Sequence, residues 1–142
     1  MTAPIVVYRP VLILQPLNDA GSPDGAAVDV SCDMQSVEIS VDTPMIEVTN
    51  FCGSYSVPDD IQEGCTLGVA ITEDTDTRWS PLVGRTVEAR VKDRGESPNY
   101  RKFQTMILVN PSLYGTTQPG EARTVEFDVP ILTSPEWDTD GS

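Results

Sequence analysis

The side chains best suited to chemistry in this 142-residue sequence are carboxylates, thiols and hydroxyls, because the chain contains no histidine. The absence of histidine excludes Ser-His-Asp and Cys-His catalysis and most zinc and iron sites. Glycoside hydrolysis needs two acids held about 5–10 Å apart in a cleft. With 22 acidic residues in the chain, some pair will meet by chance, so proximity alone carries little weight. We therefore predict that the chain is not an enzyme and has no catalytic residue.

Two acidic stretches, EDTDT (73–77) and DDIQE (59–63), carry oxygen ligands of the kind that calcium binds. Neither has the spaced ligands and the glycine of an EF-hand loop, so solvated acidic loops are the simpler interpretation. The chain has no GxGxxG pattern, and GCTLG (64–68) is not followed by the Lys-Ser/Thr pair of a phosphate-binding loop. The sequence thus predicts neither a metal nor a cofactor.

The segment NFCGSYSVPDDIQEGC (50–65) interrupts the alternation of the chain and holds two of its three cysteines. A bridge between Cys52 and Cys65 would close a loop of about 14 residues and stabilise the fold by roughly 3 kcal/mol. The alternative is that these two and Cys32 are thiols, as an odd number of cysteines in a reducing compartment favours. The acids within the segment raise a thiol pKa, which disfavours a nucleophilic role.

The net charge of −13 argues against direct binding of nucleic-acid phosphates, which depends on lysine and arginine. The opening MTAPIVVYRPVLIL lacks a basic start and is interrupted by Arg9 and Pro10, so it is predicted to be a strand rather than a signal peptide. No apolar run approaches the roughly 20 residues that cross a bilayer. We expect assembly in the cytoplasm, without a membrane partner.

The charge is unevenly distributed, since seven of the nine basic residues lie between positions 78 and 102. These residues are Arg78, Arg85, Arg90, Lys92, Arg94, Arg101 and Lys102. A basic segment in an acidic chain can supply complementary surfaces for self-association, with Arg90 and Arg94 as candidate contacts. The simpler alternative is that these side chains line solvated strand edges.

The 12 prolines and 10 glycines separate short runs rich in valine, isoleucine and threonine, which favours an all-β fold. We predict a small β-sandwich or barrel of about seven to eight strands. The predicted strands cover residues 4–14, 26–31, 34–41, 45–50, 66–72, 86–92, 103–109 and 124–131. The apolar run at 103–109 is typical of a strand covered on both faces. One short flanking helix is expected within 73–85, with Pro81 beginning a separate last turn.

Strict alternation of apolar and polar residues marks the strand at 34–41. Its apolar face holds Val37, Ile39 and Val41, and its polar face holds Ser36, Glu38 and Ser40. A turn at 42–44 is predicted to join it to 45–50 in a half-buried hairpin. Residues 1–132 are expected to form a single domain, followed by an acidic, mobile tail at 133–142.

Several short motifs occur in the chain in an order that resembles one known family. They are EVTNFCG (47–53), TLGVAIT (66–72), RWSPLVGRTVE (78–88) and YGTTQPGEARTVEFDVPI (114–131). This order is similar to that of the tail tube (major tail) proteins of long non-contractile-tailed bacteriophages. The family's acid-x-Thr-x-Phe-Gly, Leu-x-Gly and Gly-Glu patterns fall on Glu47, Thr49, Phe51, Gly53, Leu82, Gly84, Gly120 and Glu121. An additional Cys52 separates the Phe from the Gly.

The resemblance implies a subunit of a homo-oligomer, in which hexameric rings stack into a tube through which genomic DNA passes without specific binding. It also implies partners such as the tape measure and terminator proteins, and a location in the virion tail. The polar positions chosen for the lumen are Ser36, Glu38, Ser40 and Glu47. The segment 50–65 becomes a contact arm between subunits or rings, with candidate contacts at Phe51, Tyr55, Asp59, Asp60 and Glu63.

Other functions fit a small β fold as well. A capsid decoration protein or a tail terminator or adaptor would stop at trimers or at a single ring. A carbohydrate- or protein-binding sandwich would show a ligand groove lined by Trp79 or Tyr100. Indefinite polymerisation distinguishes the tail tube subunit from all of these.

Overall fold

A computed structural model describes residues 4–50, 52–58 and 61–140 of the chain. Within this part, the short β-branched runs form ten strands. These are β1 (Val11–Pro16), β2 (Val28–Asp29), β3 (Met34–Asp42), β4 (Met45–Asn50), β5 (Gly53–Pro58), β6 (Gln62–Ala70), β7 (Thr86–Lys92), β8 (Asn99–Met106), β9 (Thr124–Val129) and β10 (Glu136–Thr139). Helix α1 spans Thr75–Trp79, and 3₁₀ turns span Ser80–Leu82 and Pro111–Leu113.

Two antiparallel sheets enclose the core. The larger has the strand order β10-β8-β7-β1-β2, and the smaller has the order β3-β6-β9. Each sheet contributes alternate residues to one buried cluster, because successive side chains of a strand point to opposite faces. The cluster includes Leu12, Leu14, Leu67, Val69, Val87, Ala89, Val91, Phe103 and Val129. The all-β, sandwich-like fold predicted from the sequence is therefore confirmed.

The short helix lies against this core, as predicted. Trp79 at the end of α1 and Leu82 in the following 3₁₀ turn are both fully buried. The Trp79 ring meets the Phe127 ring edge-on, with ring centroids 6.0 Å apart. Pro81 lies in the 3₁₀ turn rather than in α1, as expected for a residue without a backbone N–H. Gly84 then adopts a positive φ of 81° and leads the chain into β7.

The predicted hairpin between β3 and β4 is wrong. β3 pairs with β6 over eight residue pairs, and β4 pairs with β5. The chain reverses between Asn50 and Gly53, where Gly53 has a φ of 131°. Thr43 and Pro44 separate the two ladders on this side, and a proline has no N–H to donate to a ladder. The pair β4–β5 is thus nested within the pair β3–β6, and residues 45–50 and 52–58 are called the arm.

The two ends of the chain also differ from expectation. Residues 136–139, assigned to a mobile tail, form β10 and pair with the edge of β8. Of the predicted strand 4–14, only the part from Val11 onward is a strand, although Tyr8 makes an isolated bridge to Arg94.

The apolar run at 103–109 is not covered on both faces. β8 ends at Met106, its buried residues alternate with half-buried ones, and Leu108 beyond it is exposed. The physical reason is that the sheet of β8 packs against the other sheet through one face only.

The contrast between the two tryptophans provides a test of where the core lies. Trp79→Ala should lower the free energy of unfolding by about 3–5 kcal/mol, because it removes a fully buried aromatic side chain. Trp137→Ala should change it by no more than ~0.5 kcal/mol, because Trp137 is exposed on β10. Urea denaturation followed by far-ultraviolet circular dichroism measures both variants. Equal losses would contradict this placement of the core.

Candidate functional site

The outer face of the three-stranded sheet is polar and acidic. Ser36, Glu38 and Ser40 of β3 are exposed on it. Residues directly opposite each other in antiparallel ladders share a face. The register therefore adds Thr66 of β6 and Glu126 and Asp128 of β9 to this face. Ser36, Glu38, Ser40, Thr66, Glu126 and Asp128 are called the acidic face below.

A hydrogen bond across the strands organises part of this face. The Thr66 hydroxyl donates to the Asp128 carboxylate at 2.6 Å between the oxygens. The Glu38 carboxylate is directly opposite Thr66 in the neighbouring ladder. Three carboxylates and three hydroxyls thus lie on one surface, which repels anions.

The structure brings together three of the four residues predicted for the lumen. Ser36, Glu38 and Ser40 lie on the acidic face, whereas Glu47 lies on β4 in the arm, opposite Ser56. Sequence reasoning missed Glu126 and Asp128, although their alternation with Val125, Phe127 and Val129 marks them as outward-facing. The missing information was that β9 pairs with β6.

The arm extends the β3–β6 hairpin beyond the core. Val41 continues the apolar face of β3 but is 65% exposed, and Met45, Ile46 and Ile61 are 59%, 47% and 63% exposed. The pairs Glu47–Ser56 and Thr49–Ser54 are polar, with 3.0 Å between the hydroxyl oxygens of Thr49 and Ser54. Met45 and Ile46 are consecutive in β4 and therefore point to opposite faces of the arm, so each face has an exposed apolar side chain.

Several predicted contacts cannot be placed on this arm. Phe51, Asp59 and Asp60, and the side chain of Tyr55, lie outside the described residues. Glu63 lies in β6 rather than in a loop, and its carboxylate accepts a 2.6 Å hydrogen bond from the Ser134 hydroxyl. The described part of the expected loop at 50–65 is thus mostly strand.

Each of the seven clustered basic residues has a carboxylate partner within the chain. The pairs are Arg78–Asp33, Arg85–Asp24, Arg90–Glu88, Lys92–Asp140, Arg94–Glu96, Arg101–Asp93 and Lys102–Asp138, with N–O distances between 2.6 and 3.1 Å. Four of these acids lie outside the segment 78–102. Folding therefore neutralises a positive charge that the sequence alone predicts to be available for contacts with another chain. Arg90 also lies 5.8 Å from the centre of the Tyr100 ring and is half-buried, whereas Arg94 is exposed.

Asp33 is fully buried and is held by side chains from α1 and the loop before it. Its carboxylate accepts hydrogen bonds from Arg78 at 2.7 and 2.8 Å, from Thr75 at 3.0 Å and from the Trp79 indole at 3.3 Å. Burial alone would raise the pKa of Asp33, but the hydrogen bonds from Arg78, Thr75 and Thr72 hold that pKa below its ordinary value. A carboxylate so enclosed is not accessible to a substrate, and it fixes α1 to the start of β3.

The cysteines lie in three different environments. Cys65 is buried in β6 opposite Ile39, whereas Cys32 and Cys52 are exposed. Cys52 lies at the tip of the arm, between the paired residues Asn50 and Gly53. A bridge between Cys52 and Cys65 is incompatible with this register, because disulfides require Cα atoms about 4.4–6.8 Å apart. Burial, followed by the charge of Asp128, raises the pKa of the Cys65 thiol to about 11.

The aromatic groove expected of a carbohydrate-binding sandwich is not formed by the residues considered for it. Trp79 is fully buried, and Tyr100 is 8% exposed beneath Arg90 and Asp138. Neither ring is available to stack on a ligand.

Within the described ranges, no three or more Cys, Asp or Glu residues are grouped so as to hold a metal ion. Nor does any helix of that part have the length and apolar character needed to cross a membrane. No model of a known protein family matches the chain, and no curated protein is significantly similar to it in sequence.

The buried carboxylate gives a prediction for stability in acid. Asp33→Asn should lower the free energy of unfolding by about 1.5–3 kcal/mol at pH 7, because the charge-assisted hydrogen bonds from Arg78 are lost while the Arg78 side chain keeps some access to solvent. Since folding lowers the pKa of Asp33, its stabilisation is complete above about pH 4 and is lost as the pH falls through the folded value.

The free energy of unfolding should therefore fall less steeply with decreasing pH in Asp33→Asn than in the wild-type chain. Asp24→Asn is the matched control, because its pair with Arg85 is exposed and is worth at most ~1 kcal/mol. Urea unfolding at pH 7 and at several lower values measures all three chains. Similar losses for the two variants would refute the buried role of Asp33.

The thiols should differ in reactivity. A maleimide added to the folded chain should modify Cys32 and Cys52 rapidly and Cys65 only after unfolding, because Cys65 is buried and stays protonated at neutral pH. Peptide mass spectrometry identifies the modified positions. Rapid labelling of Cys65 in the folded chain, or an unreduced, unfolded chain that labels only at Cys32, would contradict this assignment.

Proposed function

We propose that the chain is a structural virion protein, a subunit of stacked rings that form the tail tube of a bacteriophage. The observation that supports this most strongly is the acidic face, in combination with the projecting arm of the same hairpin. The resemblance of the sequence motifs to tail tube proteins supports the same function. It also suggests six subunits per ring and the tape measure and terminator proteins as partners.

The acidic face suits the wall of a channel for DNA. A duplex carries about one negative charge per 1.7 Å of its axis, and tight binding depends on Lys and Arg that replace its counterions. The acidic face consists of carboxylates and hydroxyls, which offer the phosphates no such contact. A wall of this kind allows the duplex to slide, which a tail tube requires during DNA ejection.

The small sheet has two edges through which copies can join. Within the described residues, its outer strands are β3 and β9, with nine and six residues. Such edges present unpaired backbone donors and acceptors, which can bind a strand of another chain. Joining the β3 edge of one copy to the β9 edge of the next is a head-to-tail contact that closes into a ring when the rotation allows. The acidic faces then lie side by side.

The arm is the proposed contact between neighbouring subunits or rings. Its apolar residues Met45 and Ile46, and Val41 and Ile61 next to it in the chain, are exposed and have no cover from the core of their own chain. Burial of such side chains against a neighbour stabilises association through the hydrophobic effect, by roughly 25 cal/mol per Å² of apolar surface.

A capsid decoration protein or a tail terminator or adaptor is the alternative function. It would use the same fold and the same arm, but its assembly would end at a trimer or a single ring. The two functions are therefore separated by the size of the assembly.

Electron microscopy of the purified chain at high concentration, with sedimentation of the same sample, tests the proposal. We expect long hollow tubes with a regular axial repeat. Discrete trimers or single rings would instead support the decoration or terminator function.

Two variants of the arm test its role in assembly. Ile46→Asp should suppress assembly, because it places a charge on an apolar contact. Thr49→Asp adds the same charge to the same strand at a polar position, so it should assemble as the wild-type chain does. Both residues are exposed, so circular dichroism should show an unchanged fold. Equal assembly of the two variants would refute the contact role of Ile46.

A further inference from the structure

Residues 4–8, PIVVY, form an exposed apolar segment before β1. Ile5, Val6, Val7 and Tyr8 are 65%, 67%, 59% and 51% exposed. Four consecutive side chains cannot all share one side of a backbone, so neither side of this segment is well covered by the body. Isoleucine, valine and tyrosine all favour β-strands, so the segment has the composition of a strand without belonging to a sheet. It is called the apolar segment below.

The body holds only one end of the apolar segment by backbone hydrogen bonds. The Tyr8 N–H donates to the Asp93 carbonyl at 2.9 Å, and the Gly95 N–H donates to the Tyr8 carbonyl at 3.3 Å. No backbone hydrogen bond joins residues 4–7 to any other described residue. Backbone groups of this kind can pair with the edge of a sheet in another chain.

The arm is a sheet of only two strands. β4 and β5 pair with each other, and no other described strand pairs with either of them. An isolated pair of strands is marginally stable at best in water, whereas a third strand with apolar side chains stabilises it. Every arm side chain whose burial is described is exposed, namely those of Met45, Ile46, Glu47, Thr49, Cys52, Ser54 and Ser56. The arm therefore lacks the strand that the apolar segment can supply.

The distribution of charge favours contact between these two parts of the chain. Copies with a net charge of −13 repel each other, so association is least opposed where the surfaces carry little charge. Charged residues make up 22% of the chain, but the apolar segment has none and the arm has only Glu47. Met45 and Ile46 lie on opposite faces of the arm, so an added strand can bury apolar side chains on both faces.

We propose that the apolar segment of one copy adds to the outer edge of β4 in a second copy and makes its arm a three-stranded sheet. The β4 edge is chosen because its six residues include no proline, whereas β5 ends in Pro58, which has no N–H for a ladder. Each copy gives its segment to one neighbour and receives a segment from another, which is a head-to-tail contact. The inference rests on the proposed contact role of the arm but not on the tube, because it holds for any assembly that uses the arm.

Cross-linking between two variants of the full chain tests the strand addition. Val6 and Glu47 lie near the centres of the apolar segment and of β4, and neighbouring strands are about 4.8 Å apart, so addition in either direction brings them close. One preparation carries Val6→Cys, and the other carries Glu47→Cys and a mass tag. Cys32→Ser and Cys52→Ser are present in both, while the buried Cys65 is retained. A short bis-maleimide is added after the two have been mixed.

Strand addition predicts a covalent heterodimer between positions 6 and 47. Its yield should be several times that of a control mixture in which Glu121→Cys, in an exposed loop outside the arm, replaces Glu47→Cys. A 6–47 yield equal to that of the control would overturn the inference.

A pair of double variants tests whether the backbone of the segment is needed. Val6→Pro with Val7→Pro should abolish association in sedimentation, because proline has no N–H to donate to a ladder. Val6→Ile with Val7→Ile keeps the apolar, β-branched character and should associate as the wild-type chain does. Neither residue has a backbone hydrogen bond within the described part of its own copy, so circular dichroism should show the same fold for both. Equal association of the two double variants would contradict strand addition.

Electron microscopy of the cross-linking mixtures separates this inference from the proposed function. Tubes with a 6–47 yield at the control level would reject strand addition while supporting the tube. Excess 6–47 product in a sample of closed dimers or trimers would support strand addition and count against the tube.

Discussion

The antiparallel ladder between β3 and β6 is the interaction on which the rest of the structure depends. Its register directs Val37, Ile39 and Leu67 toward the core and Glu38 and Thr66 toward solvent. A slip of one residue would exchange these faces, exposing the apolar residues and burying a carboxylate. One register thus fixes both the core and the acidic face.

Charge is distributed differently on the outer faces of the two sheets. On the larger sheet, acids from β7 and β10 compensate the basic side chains, as in Arg90–Glu88 and Lys102–Asp138. On the smaller sheet, the acidic face holds three carboxylates with no lysine or arginine among its members. Much of the net charge of −13 therefore belongs to surfaces other than the basic segment. For the proposed association, apolar contacts of the arm and backbone pairing at sheet edges are therefore better candidates than attraction to that segment.

Local patterns in the sequence predicted much of the fold. Alternation located the strands of the core, and the spacing of Trp79 and Leu82 located the helical turns. The same alternation placed Ser36, Glu38 and Ser40 on one exposed face, because a period of two depends only on neighbouring residues.

Pairing between distant segments was not predictable in this way. Pro44 suggested a chain reversal, but the reversal lies at Gly53. Both residue types are common in turns, so the sequence does not show which of the two positions reverses the chain. The acids of β10 suggested a mobile tail. The lysine that pairs with them lies more than 30 positions away, so the neighbouring sequence gave no sign of the pairing. The Asp33–Arg78 pair joins residues 45 positions apart and carries no local signal.

The most direct test of the proposed tail tube is a three-dimensional reconstruction of the assembled protein by electron cryomicroscopy. We expect a channel whose wall is formed by the strands β3, β6 and β9, with Glu38, Glu126 and Asp128 facing the lumen. A channel lined by the β7–β8 sheet, or an assembly in which the acidic face is buried between subunits or faces outward, would contradict it.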